Sequence, residues 1–125
     1  MNIAILGRQP ALGIAELEQV FGGKNVKIFS PQSVTVDCNF IDIQKLGGVL
    51  KSGHVVMELP NSNWSQISQK IVAHYTDKWS KYEGKITLGI SVYDLNVNPR
   101  DIQKTGIIIK QKLKKSGASL RLIPN

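Results

Sequence analysis

The chain has 125 residues and a formal charge of +7, enough length for one ordinary core or two small ones. No apolar run approaches the roughly 18 residues of a membrane span, and the N-terminus lacks the basic start and apolar stretch of a signal peptide. Cys38 stands alone, which excludes an internal disulfide and a multi-cysteine zinc site and makes a reducing cytoplasm the expected setting.

Residues 3–6 are a short apolar run, expected as a buried strand over 2–7. Gly7 and Pro10 break it. Ile14, Leu17 and Phe21 then recur at i, i+3 and i+7 along a helix expected over 13–22. Gly13 is expected at the N-cap and Glu16 at N3, where its carboxylate reaches back to a free backbone N–H; Gly22-Gly23 ends the helix. Strands are expected over 25–29 and 33–38, and Cys38 reads as a small strand residue. Phe40, Ile43 and Leu46 give one apolar edge to a short helix expected over 40–47, stopped by Gly47-Gly48 and followed by a strand over 49–59. The order β-α-β-β-α-β is that of the ferredoxin-like split unit, an antiparallel sheet with both helices on one face.

Pro60-Asn61-Ser62 is the expected domain boundary, giving domains of 1–60 and 61–125. A helix follows, with Asn63 as N-cap, Gln66 at N3, and Trp64, Ile67, Ile71 and Tyr75 as its apolar stripe. After Glu83-Gly84, the residues Ile86, Leu88, Ile90 and Val92 alternate with Thr87, Gly89, Ser91 and Tyr93, as in a strand with one buried face. Asn98 then caps a helix with Pro99 in its first position and Asp101 in its first turn. This helix is expected to run to about Ser116 and stop at Gly117, burying Ile102, Gly106, Ile109 and Leu113. A last strand covers Ser119 to Ile123, and the strand–helix–strand of 85–123 is expected to pair in parallel, as a crossover unit.

Charge is distributed unevenly. Residues 1–60 hold five basic and five acidic side chains, whereas residues 61–125 hold eleven basic and four acidic ones. Such asymmetry is the electrostatic footprint expected for a polyanion partner. The candidate phosphate-facing residues are Arg100, Lys104, Lys110, Lys112, Lys114, Lys115 and Arg121. Lysines attract phosphates without reading bases, and arginines add paired hydrogen bonds. Arg100, Lys104, Gln111, Lys114 and Lys115 are expected roughly opposite the buried stripe; a solvated helix face is the competing account of the same pattern. Trp64, Tyr75, Trp79 and Tyr93 are candidate stacking platforms for single-stranded ends, although Trp64 and Tyr75 fit the core stripe better. Neither strand region carries the aromatic strings of an RNA-recognition motif.

The run Gly7-Arg8-Gln9-Pro10-Ala11-Leu12-Gly13-Ile14-Ala15-Glu16-Leu17, with a strand before it and Gly22 after it, resembles the N-terminus of the THUMP-containing tRNA guanosine-N2 methyltransferases. Those enzymes usually have Ser at the position of Gly13, where it would complete the capping box. The run Gly89 to Tyr93, the helix from Lys104 to Gly117 and Ser119-Leu120-Arg121-Leu122 resemble the first part of a THUMP domain. The resemblance implies an α+β chain: a ferredoxin-like domain, then a truncated α/β THUMP domain. It further implies that the THUMP part grips the acceptor end of tRNA while the ferredoxin-like part spaces it from the methylation site. A THUMP domain normally continues with further strands and a helix, so Asn125 is expected to be a cut end.

The family's chemistry lies on a Rossmann-like domain that binds S-adenosylmethionine and carries an (Asn/Asp)-Pro-Pro-aromatic loop. This sequence contains neither. Its Asn98-Pro99 is followed by Arg100, and no Gly-x-Gly-x-x-Gly string follows a strand. His54 and His74 lack metal-ligand spacing and read as ordinary surface or core residues. No catalytic residue, metal or cofactor site is therefore expected on this chain, S-adenosylmethionine being implied only for the missing methyltransferase domain. The expected function is cytoplasmic tRNA binding and substrate positioning, with no membrane partner. The alternative is a free-standing α/β interaction or assembly protein with a basic partner-binding face. A small ferredoxin-like phosphatase of the acylphosphatase sort is a third reading, weakened by the absence of a convincing anion loop.

Overall fold

A computed structural model describes residues 1–60 and 63–124. Asn61 and Ser62 of the expected boundary and the expected cut end at Asn125 lie outside the described residues. The chain is mixed α+β and divides into two compact units, Met1–Glu58 and Leu59–Asn125.

In the first unit, β1 (Asn2–Leu6), β2 (Val26–Ser30), β3 (Ser33–Val36) and β4 (Val49–His54) form one sheet in the order β2-β3-β1-β4. All three pairings are antiparallel. The side chains of Ala4, Leu6, Val34 and Val36 enter a core with Leu17 of α1 (Pro10–Phe21), Ile41, Leu46 and Val49. Ile14 and Phe21 pack against the edge of that core, so the predicted apolar face of α1 is the packed one.

Three local expectations are corrected. Helix α1 begins at Pro10, with Gln9 as N-cap, not at Gly13. Proline suits the first helical position because its fixed φ is already helical and its missing N–H is an orphan there anyway. Gly13 is buried inside the helix. The helix expected over 40–47 is only a 3-10 turn at Ile43–Lys45, flanked by irregular chain. Asp42 accepts a hydrogen bond from the Gln44 N–H at 3.2 Å, fixing a tight local turn. Ile41 and Leu46 are buried, while Phe40 is 70% exposed. Finally, β4 ends at His54 and not at residue 59. His54 lies opposite Asn2, the first residue of β1, and the Val55 N–H makes one further bond to the Met1 carbonyl.

In the second unit, α2 spans Trp64–Trp79, β5 Lys85–Leu88, α3 Pro99–Lys115 and β6 Ser119–Leu122. Strands β5 and β6 pair in parallel, with Ile86 opposite Leu120 and Leu88 opposite Leu122. Their core contains Val72, Ile86, Ile109, Leu113, Ala118 and Leu120, with Ile71, Trp79, Leu88, Ile108 and Leu122 against it. Asn63 caps α2 reciprocally with Gln66, as the sequence predicts. Of the α2 stripe, Trp64, Ile67, Ile71 and Tyr75 are half-buried and Val72 is the buried residue. The strand expected through Val92 stops at Leu88, the residue opposite the last residue of β6. Helix α3 ends as predicted: Gly117 takes φ +89, and Ala118 N–H bonds the Leu113 carbonyl at 2.9 Å.

Candidate nucleic-acid interface

The basic residues of the second unit lie on two elements with opposite obligations. Helix α3 must bury one stripe, and Thr105, Gly106, Ile109 and Leu113 do so. Residues displaced by about half a turn from that stripe must face water. Arg100, Lys104, Ile107, Gln111 and Lys114 follow one another at steps of four, three, four and three, and all five are exposed. They make a continuous outer stripe about 21 Å long at 1.5 Å per residue, with Lys115 beside its end. Lys110 and Lys112 are also exposed, but at 100° per residue they sit on opposite flanks of the helix.

Arg121 is elsewhere. On β6, Leu120 and Leu122 turn toward α3 and Arg121, between them, turns away. It is exposed on the outer face of the two-stranded sheet, directly opposite Thr87. Lys85 shares that face, one pleat away. Thus the structure groups Arg100, Lys104, Lys114 and Lys115 along α3, places Lys110 and Lys112 on its two sides, and puts Arg121 with Lys85 on a separate surface. Lys85 was not among the sequence candidates. The alternation of β5 was the signal that could have found it, since Lys85 has the parity of the exposed Thr87.

The charges on α3 differ in what they do for the helix. Lys112, Lys114 and Lys115 occupy the last turn, where cations oppose the negative end of the dipole and stabilise the helix by roughly 0.3–1 kcal/mol each. Arg100 occupies the first turn, where a cation is disfavoured. Helix stability therefore accounts for the lysines at the C-terminus and leaves Arg100 without such a reason.

The aromatic candidates are not presented as platforms. The Tyr75 and Trp79 rings meet at a tilt of 37° with centroids 4.5 Å apart, and His74 meets Tyr75 edge-on at 4.8 Å. Trp64, Tyr75, Trp79 and Tyr93 are all half-buried. The exposed aromatic in this region is Tyr82. Cys38 is a free, half-buried thiol that lies beyond β3, and its carbonyl accepts a hydrogen bond from Asn2 Nδ2 at 2.5 Å. His54 is exposed at the end of β4.

An open cleft of about 420 Å³ lies at the carboxyl ends of β5 and β6, lined by Leu88, Ile90, Ile102, Gly106, Leu122 and Ile123 among others. Gln103 supplies the one polar side chain in its lining. That donor set does not fit S-adenosylmethionine, whose ribose hydroxyls and charged amino-acid end need polar partners. Among the described residues, no group of three or more His, Cys, Asp or Glu side chains could hold a metal ion. No helix among them is long and apolar enough to cross a membrane.

Compared with family models, curated proteins and solved structures, the chain gives no match in any of the three.

Proposed function

We propose that this chain is a tRNA-binding, substrate-positioning region of an S-adenosylmethionine-dependent tRNA (guanine-N2) methyltransferase, acting in the cytoplasm, with catalysis on a domain outside this sequence. The observation that carries the reading is the outer stripe of α3, where Arg100, Lys104 and Lys114 line one exposed side of a helix. Arg100 in particular has no stabilising role at a helix N-terminus. The sequence resemblance supplies the family. The antiparallel order β2-β3-β1-β4 supports a ferredoxin-like first unit whose second helix has shrunk to a 3-10 turn, and the parallel β5-α3-β6 crossover supports a partial THUMP domain. On this reading the chain contributes orientation, holding RNA where another domain can react with it.

The test is tRNA affinity measured across a salt series. Tight binding at low salt should weaken linearly on a logarithmic plot as counterions return to the phosphates. The triple variant Arg100→Ala/Lys104→Ala/Lys114→Ala should reduce the magnitude of the slope by about two to three, near one unit for each phosphate no longer neutralised. Binding indifferent to salt, or unchanged by the triple variant, would refute the reading.

A second reading, an assembly protein, is favoured by one feature of the first unit. Strand β2, the outermost strand of its sheet among the described residues, exposes Ile28 (71%) and Phe29 (68%). Light scattering separates the two: a defined oligomer indifferent to added tRNA would replace the RNA reading.

A further inference from the structure

The outer stripe of α3 is not evenly charged. Arg100 and Lys104 lie at one end, and Lys114 and Lys115 lie at the other. Between them the exposed positions of the stripe are Ile107 and Gln111, which carry no charge. The neutral interval from Lys104 to Lys114 is about 15 Å long at 1.5 Å per residue. Lys110 and Lys112 occur within it, but on the two flanks of the helix. Lysine and arginine are almost never fully buried unless paired, so this face, unlike a sheet margin, suits water or a polyanion whatever chain adjoins it.

Two polyanion geometries compete for such a face. An unpaired strand presents its phosphates in one row, about one per 3.4 Å when stacked, so a 15 Å interval would pass roughly four of them without a cation. Unpaired strands are also gripped through bases stacked on aromatic rings. Helix α3 contains no aromatic residue, and Trp64, Tyr75, Trp79 and Tyr93 are half-buried. A duplex presents two rows of phosphates with a groove between them. In A-form RNA the minor groove is wide and shallow and displays 2′-hydroxyls, whereas the major groove is too deep and narrow for side chains to read. Two cationic ends and a neutral middle complement the two phosphate rows and the groove between.

Resting on the RNA-binding reading above, we propose that α3 lies across the minor groove of an A-form RNA duplex. Arg100 and Lys104 neutralise phosphates of one strand, and Lys114 and Lys115 those of the other. Ile107 rests on the sugars between. The Gln111 side-chain amide, which can both donate and accept, bonds a 2′-hydroxyl. That bond needs ribose, so the site distinguishes an RNA stem from a DNA stem.

The test measures affinity and salt dependence on the full chain with three probes. They are a closed RNA hairpin stem without overhangs, an unstructured RNA of the same length, and the same hairpin in DNA. The RNA stem should bind about tenfold or more tighter than the unstructured RNA, because only the stem engages both ends of α3. It should bind about three- to tenfold tighter than the DNA stem, the effect of one hydrogen bond. Gln111→Ala, which suits a helix, should remove most of that second difference. Arg100→Ala/Lys104→Ala and Lys114→Ala/Lys115→Ala should each reduce the magnitude of the salt slope on the RNA stem by about two. Unstructured RNA bound as tightly as the stem would overturn the proposal. So would a slope moved by only one of the two pairs, or an RNA-over-DNA preference unmoved by Gln111→Ala. If tRNA binds with the salt dependence described above while the stem shows no preference, the duplex assignment falls and the RNA-binding reading stands. If tRNA does not bind, both fall.

Discussion

Gly13 illustrates how one residue can be assigned to the wrong task from sequence. Its place before an apolar stripe suggests an N-cap. In the folded chain it is the point of closest approach between α1 and the Gly47-Gly48 turn. A Cβ built on Gly13 would lie 2.5 Å from the Gly48 carbonyl oxygen and 3.0 Å from Leu6 Cδ2. That carbonyl is not free to move: it accepts the Gly7 N–H at 2.9 Å, and the Gly48 N–H is held by Glu16 Oε1 at 2.6 Å. Glu16 has likewise left its predicted task. It bonds the Gly47 and Gly48 N–H groups, 31 and 32 residues away, in place of its own helix start. Gly13→Ser should therefore destabilise the chain by about 1–3 kcal/mol, the range for forcing atoms into a packed site. Gly53→Ala is the control, because a Cβ at Gly53 meets nothing within 4 Å. Urea denaturation monitored in the first unit decides the matter; a neutral or stabilising Gly13→Ser would show that the close approach relaxes freely.

At the scale of elements, legibility followed the range of the interactions that form each one. The two later helices start where the sequence places them because their caps are local. Asn63 Oδ1 accepts the Gln66 N–H at 2.9 Å, and Gln66 Oε1 accepts the Asn63 N–H at 3.1 Å. Asn98 Oδ1 accepts the Arg100 N–H at 2.9 Å, followed by Pro99 in the first position. Asn63→Ala should accordingly cost about 1 kcal/mol, the usual value of such a cap, and should speed hydrogen exchange at the Gln66 amide before it affects the middle of α2. An unchanged exchange rate at Gln66 would mean that the box does not secure the helix start. The segment 40–47 had helical spacing too, yet its glycine N–H groups are taken by Glu16 from another element and its turn is set by Asp42. Helical propensity over so short a stretch is weak against such partners. The basic stripe of α3 was legible from its 3.6-residue period alone. The separation of Arg121 from that stripe required knowing which face of β6 meets α3, and this depends on pairing with a strand more than 30 residues earlier.

Across the whole molecule, the division of charge coincides with a division of cores. Ala4, Leu6, Leu17, Val34 and Val36 belong to one buried cluster, and Ile109, Leu113 and Leu120 to another, with no residue in common. A unit the size of Met1–Glu58 draws at most roughly 3–5 kcal/mol from such a core. Leu17 is fully buried at its centre, and truncating a buried leucine to alanine costs about 2–5 kcal/mol. Leu17→Ala should thus consume most of the first unit's stability while leaving the second core's packing intact. Amide exchange on the full chain would show this directly. Protection at Ala4, Val34 and Val36 should collapse, whereas protection at Ile109, Leu113 and Leu120 should persist. The α3 stripe should then remain a formed helix face, and on the proposed function tRNA affinity in the same variant should stay within about twofold of the parent, because the charges proposed to face phosphates and their helix are unchanged. Joint loss of protection in both sets would show that the second core cannot stand without the first. Loss of affinity with the second core still protected would move the RNA-binding surface onto the unit that carries no excess charge.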